Sequence, residues 1–433
     1  MKIQQLTCTN YRGIRGEVGF NFADHLNVLF GENGAGKSTV LDAISTLLSW
    51  ITERVQNPKN MGSRIQIHDI HNAENQASLS FRGDCTELSC RFEYQLTKAH
   101  PGFQAKNDSK TKNITDLIYE ICSLIELEKG GLPLLAYYPI NRAASVISVK
   151  IRKKQENGIL EIYDQSLHRT ANFKQFFEWF RKYEDIENEK YRWSGEQPSD
   201  TQLQSVRRAI EKFMPDFTDW RICRETEGMV VKKNGQLLRV EQLSSGEQCL
   251  MAMVGDIARR LAIANPKMDN PLNGYGIVLI DEIELHLHPS WQRMIIERLL
   301  KTFPNIQFFV STHSPQVIGE VYADSNGQRI FQLSQSESGI TCTTPKQAYG
   351  LDSNLILGSM MTVGTPCLSR NKDIAEELHT ISRFIDREKF NEARKHIKAL
   401  ERKTNGTLPE TVGAMSLIDM LDDTLDGNRK EAP

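Results

Sequence analysis

The sequence GENGAGKST at residues 31–39 matches the pattern G-x-x-x-x-G-K-[ST] without a mismatch. It follows a short apolar run at 25–30 and precedes apolar residues at helical spacing, so we expect strand, loop and helix in that order. Glycines let consecutive backbone N–H groups turn toward phosphate oxygens, and the helix N-terminus adds partial positive charge. In this context the loop predicts a nucleoside triphosphate site in preference to a plain glycine-rich turn.

The residue types within this loop predict how the nucleotide is held. The Lys37 ammonium would reach the β- and γ-phosphates, and the Ser38 hydroxyl would ligate Mg²⁺. The nucleotide-binding candidates are therefore Asn33, Gly34, Ala35, Gly36, Lys37, Ser38 and Thr39. ATP and Mg²⁺ are the expected cofactors.

Two later apolar runs end in polar residues that suit the same chemistry. "VLIDEIE" delivers Asp281 and Glu282 at the carboxyl end of a predicted strand, the edge where open α/β sheets bind ligands. Asp281 suits the Mg²⁺ shell, and Glu282 can orient or deprotonate the attacking water. His313 follows the next apolar run and can donate a hydrogen bond to the γ-phosphate. The alternatives are that Asp281 and Glu282 are surface acids at a strand end and that His313 is a turn residue without a catalytic role.

"LSSGEQ" at 243–248 precedes a run with helical periodicity. The order of P-loop, insertion, LSSGEQ, Asp-Glu strand and histidine strand resembles the ABC-type ATPases over residues 1 to about 320. That resemblance implies that Ser244 and Gly246 cap the γ-phosphate bound by a second copy of the chain, in a head-to-tail homodimer. Ser245 and Glu247 complete this set of nucleotide-binding candidates.

Further motifs resemble one branch of that superfamily. The Ser-x-Gly-Glu signature is similar to that of the SMC, RecF and RecN group, in which the arginine of the "NFRG" motif lies near the base; Arg12 of "NYRGI" is the matching residue. "LIDEIELHLHPSWQ" resembles the AAA_21-type ATPases, with Ile283 where proline is usual. For Arg12, the alternative to a place near the base is a structural role near a turn.

"AYYPINR" and "KQAYGLDSNLIL" resemble the PtuA ATPases of Septu-type antiphage systems, including versions carried by retrons. This resemblance implies an ATPase that assembles with and regulates an HNH nuclease similar to PtuB, joined in retrons by a reverse transcriptase and its RNA–DNA product. Asn141 and Arg142 are further site candidates from it. A RecF- or SMC-like DNA-repair ATPase is the alternative, and a transporter subunit or an OLD-type nuclease fits less well.

The fold class expected is α/β: an ABC-type P-loop ATPase head with an antiparallel β subdomain, a helical insertion and a helical C-terminal extension. The expected domains are an N-terminal ATPase lobe at 1–140, a helical insertion at 141–225, a C-terminal ATPase lobe at 226–345 and a partner-binding region at 346–433. Alternation over 78–95 predicts a hairpin turning at Gly83-Asp84. Residues 373–402 predict an amphipathic helix with Phe390, Ala393, Ile397 and Leu400 as its stripe.

Composition adds limits on partners and location. The net charge of -2 indicates no whole-molecule attraction to nucleic acid or membrane, which leaves the basic cluster at 149–155 as the best local candidate for phosphates. The 8 cysteines form no regular framework, and no apolar run approaches a membrane span, so a cytoplasmic protein is expected. The short amphipathic segment 416–425 is the candidate for docking the nuclease. A C-terminal region without a D-x-D pair predicts no intrinsic nuclease activity.

Overall fold

A computed structural model of the chain describes residues 1–103, 109–110, 114–140, 158–167, 173–195, 201–223, 228–336, 339–361 and 371–430. The chain divides into two units, Met1–Ser353 and Asn354–Pro433. Asn141, Arg142 and the basic cluster at 149–155 lie outside the described residues. The domain boundaries expected at 140, 225 and 345 stay predictions.

The strands of the first unit are β1 (Lys2–Thr9), β2 (Glu17–Asn21), β3 (Leu26–Gly31), β4 (Gln76–Cys85), β5 (Cys90–Ala99), β6 (Leu134–Tyr138), β7 (Phe217–Cys223), β8 (Gly228–Lys233), β9 (Gln236–Arg239), β10 (Gly276–Ile280), β11 (Ile306–Thr312), β12 (Asp324–Ser325), β13 (Gln328–Ser336) and β14 (Gly339–Thr343). Its helices are α1 (Lys37–Gln56), α2 (Thr115–Glu126), α3 (Phe173–Ser194), α4 (Thr201–Phe213), α5 (Ser245–Ala264), α6 (Pro289–Thr302) and α7 (Pro315–Ile318). A short helix α8 (Ser353–Ile356) follows.

The central sheet has the order β12-β13-β3-β11-β10-β6, with β14 paired to β13. Strands β3, β11, β10 and β6 run parallel to their neighbours, and every residue in these four strands is buried. Continuous apolar runs suit such strands because helices and loops cover both faces of a parallel sheet. The carboxyl ends of these strands therefore meet at one edge, and the P-loop begins there at the end of β3.

A second, antiparallel sheet has the order β2-β1-β4-β5. The predicted hairpin is present as β4 and β5, but its predicted turn at Gly83-Asp84 is wrong: the chain turns at 86–89, where Ser89 has φ +54°. Gly83 instead lies within β4, and a Cβ there would be 2.2 Å from the Lys2 carbonyl oxygen and 2.5 Å from the Phe92 ring. The glycine marks a close cross-strand approach, which sequence cannot distinguish from a turn.

The predicted helices of the insertion are confirmed as α3 and α4, and strands β8 and β9 form a hairpin. Asn234 and Gly235 form its turn with φ +49° and +85°, the conformation that a two-residue hairpin turn requires. Strand β7 pairs with β8 and makes a three-stranded sheet with β9. This strand, within 141–225, was not expected of a helical insertion.

Helix α5 carries a buried ionic cluster that fixes it to the end of β6. Asp256 accepts from Arg259 Nη2 at 2.8 Å, from Arg260 Nε at 2.8 Å and from the Tyr138 hydroxyl at 2.9 Å. Arg259 also donates to Glu161 at 3.0 Å, in the short 3₁₀ segment Gly158–Tyr163. A carboxylate and two cations are buried together here, so each group depends on the others for its solvation.

The second unit contains helices α9 (Lys372–Asp386), α10 (Phe390–Thr404) and α11 (Pro409–Lys430). The predicted stripe is buried at Phe390, Ala393, Ile397 and Leu400, where it packs with Ile381 and Ile418. The single helix expected over 373–402 is wrong, because the chain breaks between α9 and α10 at Glu388, with φ +56°. None of the helices in the described ranges is both long and apolar enough to cross a membrane.

Candidate functional site

The P-loop connects β3 to α1 as the sequence predicts, and its glycines have the conformations that this connection needs. Gly34 and Gly36 have φ +83° and +94°, and Gly36 is the N-cap of α1. A Cβ on Gly31 would lie 2.1 Å from the Leu333 carbonyl oxygen of β13. Among the described residues, the backbone N–H groups of Gly34, Gly36 and 37–39 donate to no protein acceptor. They form an anion-binding concavity at a helix N-terminus.

Lys37 is buried and folds back over the loop. Its Nζ donates to the Gly31 carbonyl oxygen at 3.0 Å and to the Glu32 carbonyl oxygen at 2.9 Å. Burial lowers the pKa of Lys37, while the nearby carboxylates of Asp281 and Glu282 act in the opposite direction. The ammonium therefore lies in the electrostatic field of both acids, although they are more than 240 positions away in the chain.

The carboxyl ends of β10 and β11 hold the predicted acidic pair beside the predicted histidine. Asp281 is buried and accepts a hydrogen bond from the Ser311 hydroxyl. Glu282, with φ +46°, donates its backbone N–H to the same hydroxyl at 2.8 Å. Its Oε1 lies 4.0 Å from His313 Nε2. The parallel register of β3, β11 and β10 thus brings Lys37, Asp281, Glu282 and His313 together at one edge.

Glu284 was missed by the sequence reasoning and holds the histidine segment in place. Its Oε2 accepts from the Thr312 hydroxyl at 2.7 Å, and its Oε1 accepts from the backbone N–H of His313. Burial and the Lys37 charge lower the pKa of His313, against the opposing effect of Glu284 and Glu282. The imidazole is therefore mostly neutral near pH 7. Its position two residues after the Asp-Glu pair is the sequence feature that could have indicated Glu284.

Arg12 lies between two carboxylates. Its Nη1 donates to Asp42 Oδ2 at 2.5 Å and its Nε to Asp69 Oδ1 at 2.9 Å, while the Tyr137 hydroxyl donates to the other Asp42 oxygen at 3.3 Å. The Arg12 side chain keeps 28% of its surface exposed. The structural reading of Arg12 as an anchor is thus correct, and contact with a base stays a prediction.

Arg12 also borders a polar pocket of about 460 Å³. Its other polar lining residues include His68, His71, Asn72, Gln335 and Ser336. The β13–β14 hairpin connects this pocket to the P-loop: a Cβ on Gly34 would lie 3.5 Å from Gln335 Oε1, and one on Gly36 would lie 2.4 Å from Ile340 Cδ1. The pocket therefore adjoins the glycine-rich loop on the side of this hairpin.

The LSSGEQ residues form the start of α5. Ser244 is the N-cap, and a reciprocal capping box joins its hydroxyl to the Glu247 N–H at 3.4 Å and its N–H to Glu247 Oε2 at 3.0 Å. Gly246 packs against the loop that follows β10, since a Cβ there would lie 2.2 Å from the His286 carbonyl oxygen. Ser244 and Ser245 are exposed. Glu247 thus has a capping function that the sequence reasoning did not assign.

The described hydrogen bonds and ion pairs join the signature residues to their own helix and to Lys233, and none of them reaches the P-loop. The P-loop, the Asp-Glu pair and the histidine form one cluster, whereas Ser244 and Ser245 of the signature are exposed. This combination of a P-loop head and an exposed signature defines an ABC-type ATPase.

A family model described as "AAA domain, putative AbiEii toxin, Type IV TA system" (AAA_21) matches residues 26–319. The chain therefore belongs to the AAA_21 family. It is 32% identical to "Retron Ec83 probable ATPase" of Escherichia coli over 84% of this chain and 76% of that protein. It is 33% identical to "Retron Vc95 probable ATPase" of Vibrio cholerae serotype O1 biovar El Tor, over 69% and 67%.

A more distant relative is "Septu protein PtuA" of Bacillus thuringiensis, 22% identical over 73% of this chain and 72% of that protein. Among solved structures, the SMC head domain from Thermotoga maritima matches with a TM-score of 0.45 and 12% identity, over 80% of this chain and 100% of that chain. The relationship to retron ATPases and PtuA agrees with the sequence prediction.

Proposed function

We propose that this chain binds and hydrolyses ATP with Mg²⁺ and dimerises head-to-tail around two nucleotides. The observation that carries the proposal is the convergence of Lys37, Asp281, Glu282 and His313 at one sheet edge, while the signature at Ser244 lies exposed and apart from it. In this proposal the exposed signature of a second copy caps the γ-phosphate side of the site.

The residues present suit Mg²⁺, since Ser38 and Asp281 offer the hard oxygen ligands that this ion prefers. Ser38 is in the first turn of α1, which follows the P-loop directly. Asp281 is held in position by the Ser311 hydroxyl. When bound, Mg²⁺ neutralises charge on the phosphate oxygens.

Glu282 is the proposed base, because it adjoins the proposed metal ligand and stands next to a mostly neutral imidazole. In this proposal its carboxylate accepts a proton from the attacking water, and His313 donates a hydrogen bond to the γ-phosphate. The pocket beside Arg12 and Gln335 is the proposed place of the base and ribose. Its volume and its position beside Gly34 and Gly36 support this assignment.

The ATPase is tested with a pair of variants. Lys37→Ala removes the phosphate-binding ammonium, so we expect loss of ATP binding in a fluorescent-nucleotide titration. Glu282→Gln keeps the side-chain shape, so ATP should still bind while turnover falls at least 100-fold and the dimer accumulates in light scattering. Undiminished binding by the Lys37 variant, or full turnover by the Glu282 variant, contradicts the proposed roles.

The shared site is tested by mixing inactive proteins. Ser244→Arg destroys the signature and Lys37→Ala destroys the P-loop, and a mixed dimer contains one intact composite site. We expect a mixed dimer to have roughly half of the ATPase activity of a wild-type dimer, because one of its two sites is intact. An equimolar mixture should have about a quarter of wild-type activity, because about half of its dimers are mixed. Each variant alone is the matched control. A mixture no more active than its components contradicts the shared site.

We further propose that the dimer acts in the cytoplasm within an antiphage defence complex, where it assembles with and regulates an HNH nuclease similar to PtuB. A reverse transcriptase and its RNA–DNA product join in a retron. The names of the relatives, retron ATPases and PtuA, support this context. Nuclease activity is assigned to the partner, not to this chain.

The partner-binding region proposed at 346–433 includes the docking candidate 416–425 in α11. Leu417 and Met420 have 46% and 67% of their surfaces exposed, which supports a docking role. Leu417→Glu with Met420→Glu should abolish co-purification with a co-expressed HNH nuclease similar to PtuB, whereas Lys398→Glu on the exposed side of α10 should not. If the two variants recover equal amounts of the nuclease, segment 416–425 is not its docking site. A preference for free duplex DNA over any nuclease partner would favour the DNA-repair alternative.

A further inference from the structure

The first turn of α5 contains two opposing charge effects. Its N-terminus is exposed, and the backbone N–H groups of Ser245 and Gly246 have no protein acceptor among the described residues, so this end attracts anions. The same turn contains the Glu247 carboxylate, which repels them. Burial alone raises the pKa of Glu247, but hydrogen bonds from Lys233 and Ser244 lower it below its ordinary value, so the carboxylate is ionised near pH 7.

Lys233 is the cation that compensates this carboxylate. It is the last residue of β8, and its Nζ donates to Glu247 Oε1 at 2.7 Å. The ammonium also lies 5.2 Å from the centre of the Phe217 ring of β7, which fixes its direction. Glu247 uses its other oxygen for the capping bond to the Ser244 N–H. Lys233, Glu247 and Ser244 therefore form one connected chain from the small three-stranded sheet to the signature.

We infer that Lys233 is a positioning residue for the composite ATP site, which both neutralises Glu247 and holds the Ser244 cap in the orientation that receives the γ-phosphate of the second copy. The inference rests on the proposed head-to-tail dimer and adds a residue outside every motif to it. Without the ammonium, the incoming phosphate meets an uncompensated carboxylate one helical turn away. A glutamine at position 247 keeps the capping oxygen and has no charge to compensate.

The test uses the full chain in the Glu282→Gln background, and measures the ATP concentration at half-maximal dimerisation by light scattering. Lys233→Met should raise this concentration about 10-fold, and Lys233→Arg should restore it. Lys232→Met is the matched control, since Lys232 is the exposed neighbour on β8, and it should change the midpoint less than ~2-fold. ATP binding to the P-loop of the dilute monomer should be unchanged in all three proteins.

The decisive comparison is between the Lys233→Met, Glu247→Gln double variant and Glu247→Gln alone. Their midpoints should agree within ~3-fold, because neither protein has a carboxylate at position 247 to be compensated. A Lys233→Met protein that behaves like Lys232→Met overturns the inference. So does a double variant whose midpoint lies about 10-fold above that of Glu247→Gln alone, since Lys233 then acts independently of Glu247. If the background protein itself forms no ATP-dependent dimer, the proposed function fails first and Lys233 loses its role with it.

Discussion

Replacing Asp256 with asparagine should destabilise the first unit strongly, because this carboxylate is the shared counter-ion of two buried arginines. Arg259 and Arg260 have 0% and 5% of their side chains exposed. Asparagine preserves the size of the side chain but leaves both cations without this buried anion. Arg259 keeps Glu161 at 3.0 Å, and Arg260 keeps the carbonyl oxygens of Ile162 and Asp164.

The size of this destabilisation follows from the burial of the ion pairs and from the pKa of Asp256. Removing one partner of a buried ion pair costs about 3–5 kcal/mol, and the remaining contacts of the arginines place the Asp256→Asn cost near the lower end. Burial alone raises the pKa of Asp256, but Arg260 and Arg259 lower it from 3.8 to about 2. That difference between the unfolded and native chain corresponds to about 2 kcal/mol at neutral pH. The expected loss is therefore about 2–3 kcal/mol.

The pH dependence has a definite sign. As pH falls below 3.8 the unfolded carboxyl takes up a proton, while the native one stays charged until about 2. The Asp256 contribution is therefore complete above about pH 5 and is lost between roughly pH 4 and pH 2. The difference in the free energy of unfolding between wild type and Asp256→Asn should shrink over the same window.

Urea unfolding followed by tryptophan fluorescence measures this effect, since all 5 tryptophans lie within Met1–Ser353. Glu297→Gln is the control, because it removes an exposed ion pair with Lys301 on α6 and should cost less than about 0.5 kcal/mol. If the free energy of unfolding of Asp256→Asn at pH 7 is within ~1 kcal/mol of that of wild type, the two arginines do not depend on Asp256 as a counter-ion.

Three further outcomes follow from the described contacts. Glu284→Gln should lower kcat roughly 10- to 100-fold with little change in the KM for ATP, since an amide cannot accept both bonds that orient the His313 segment; a change confined to KM contradicts this. Gly246→Ala should destabilise the first unit by ~1–3 kcal/mol in urea and impair dimerisation, because its Cβ would overlap a backbone oxygen. Ile397→Ala should lower the unfolding free energy of the second unit by about 2–5 kcal/mol in circular dichroism, whereas Lys398→Ala should leave it unchanged.

Much of the architecture around the site follows from local sequence. The apolar run before residue 31 and the periodicity after Lys37 predict β3 and α1, and the two runs ending at Ile280 and Thr312 predict β10 and β11. The errors are at two kinds of position. Glycine occurs both in turns and at close cross-strand approaches, and Gly83 is of the second kind. Glu388 ends a helix without proline or glycine to indicate it.

The sequence by itself predicted which residues form the candidate site, because the P-loop, the Asp-Glu pair and the signature are contiguous motifs whose flanking periodicity indicates the element on which each occurs. Tertiary structure alone decided which charges meet. Arg12 meets Asp42 and Asp69, and Glu284 meets the segment before His313. Lys233 reaches Glu247 in the same way. Coulombic and hydrogen-bond energies depend on distances of a few ångströms, which only the packing of the sheets sets.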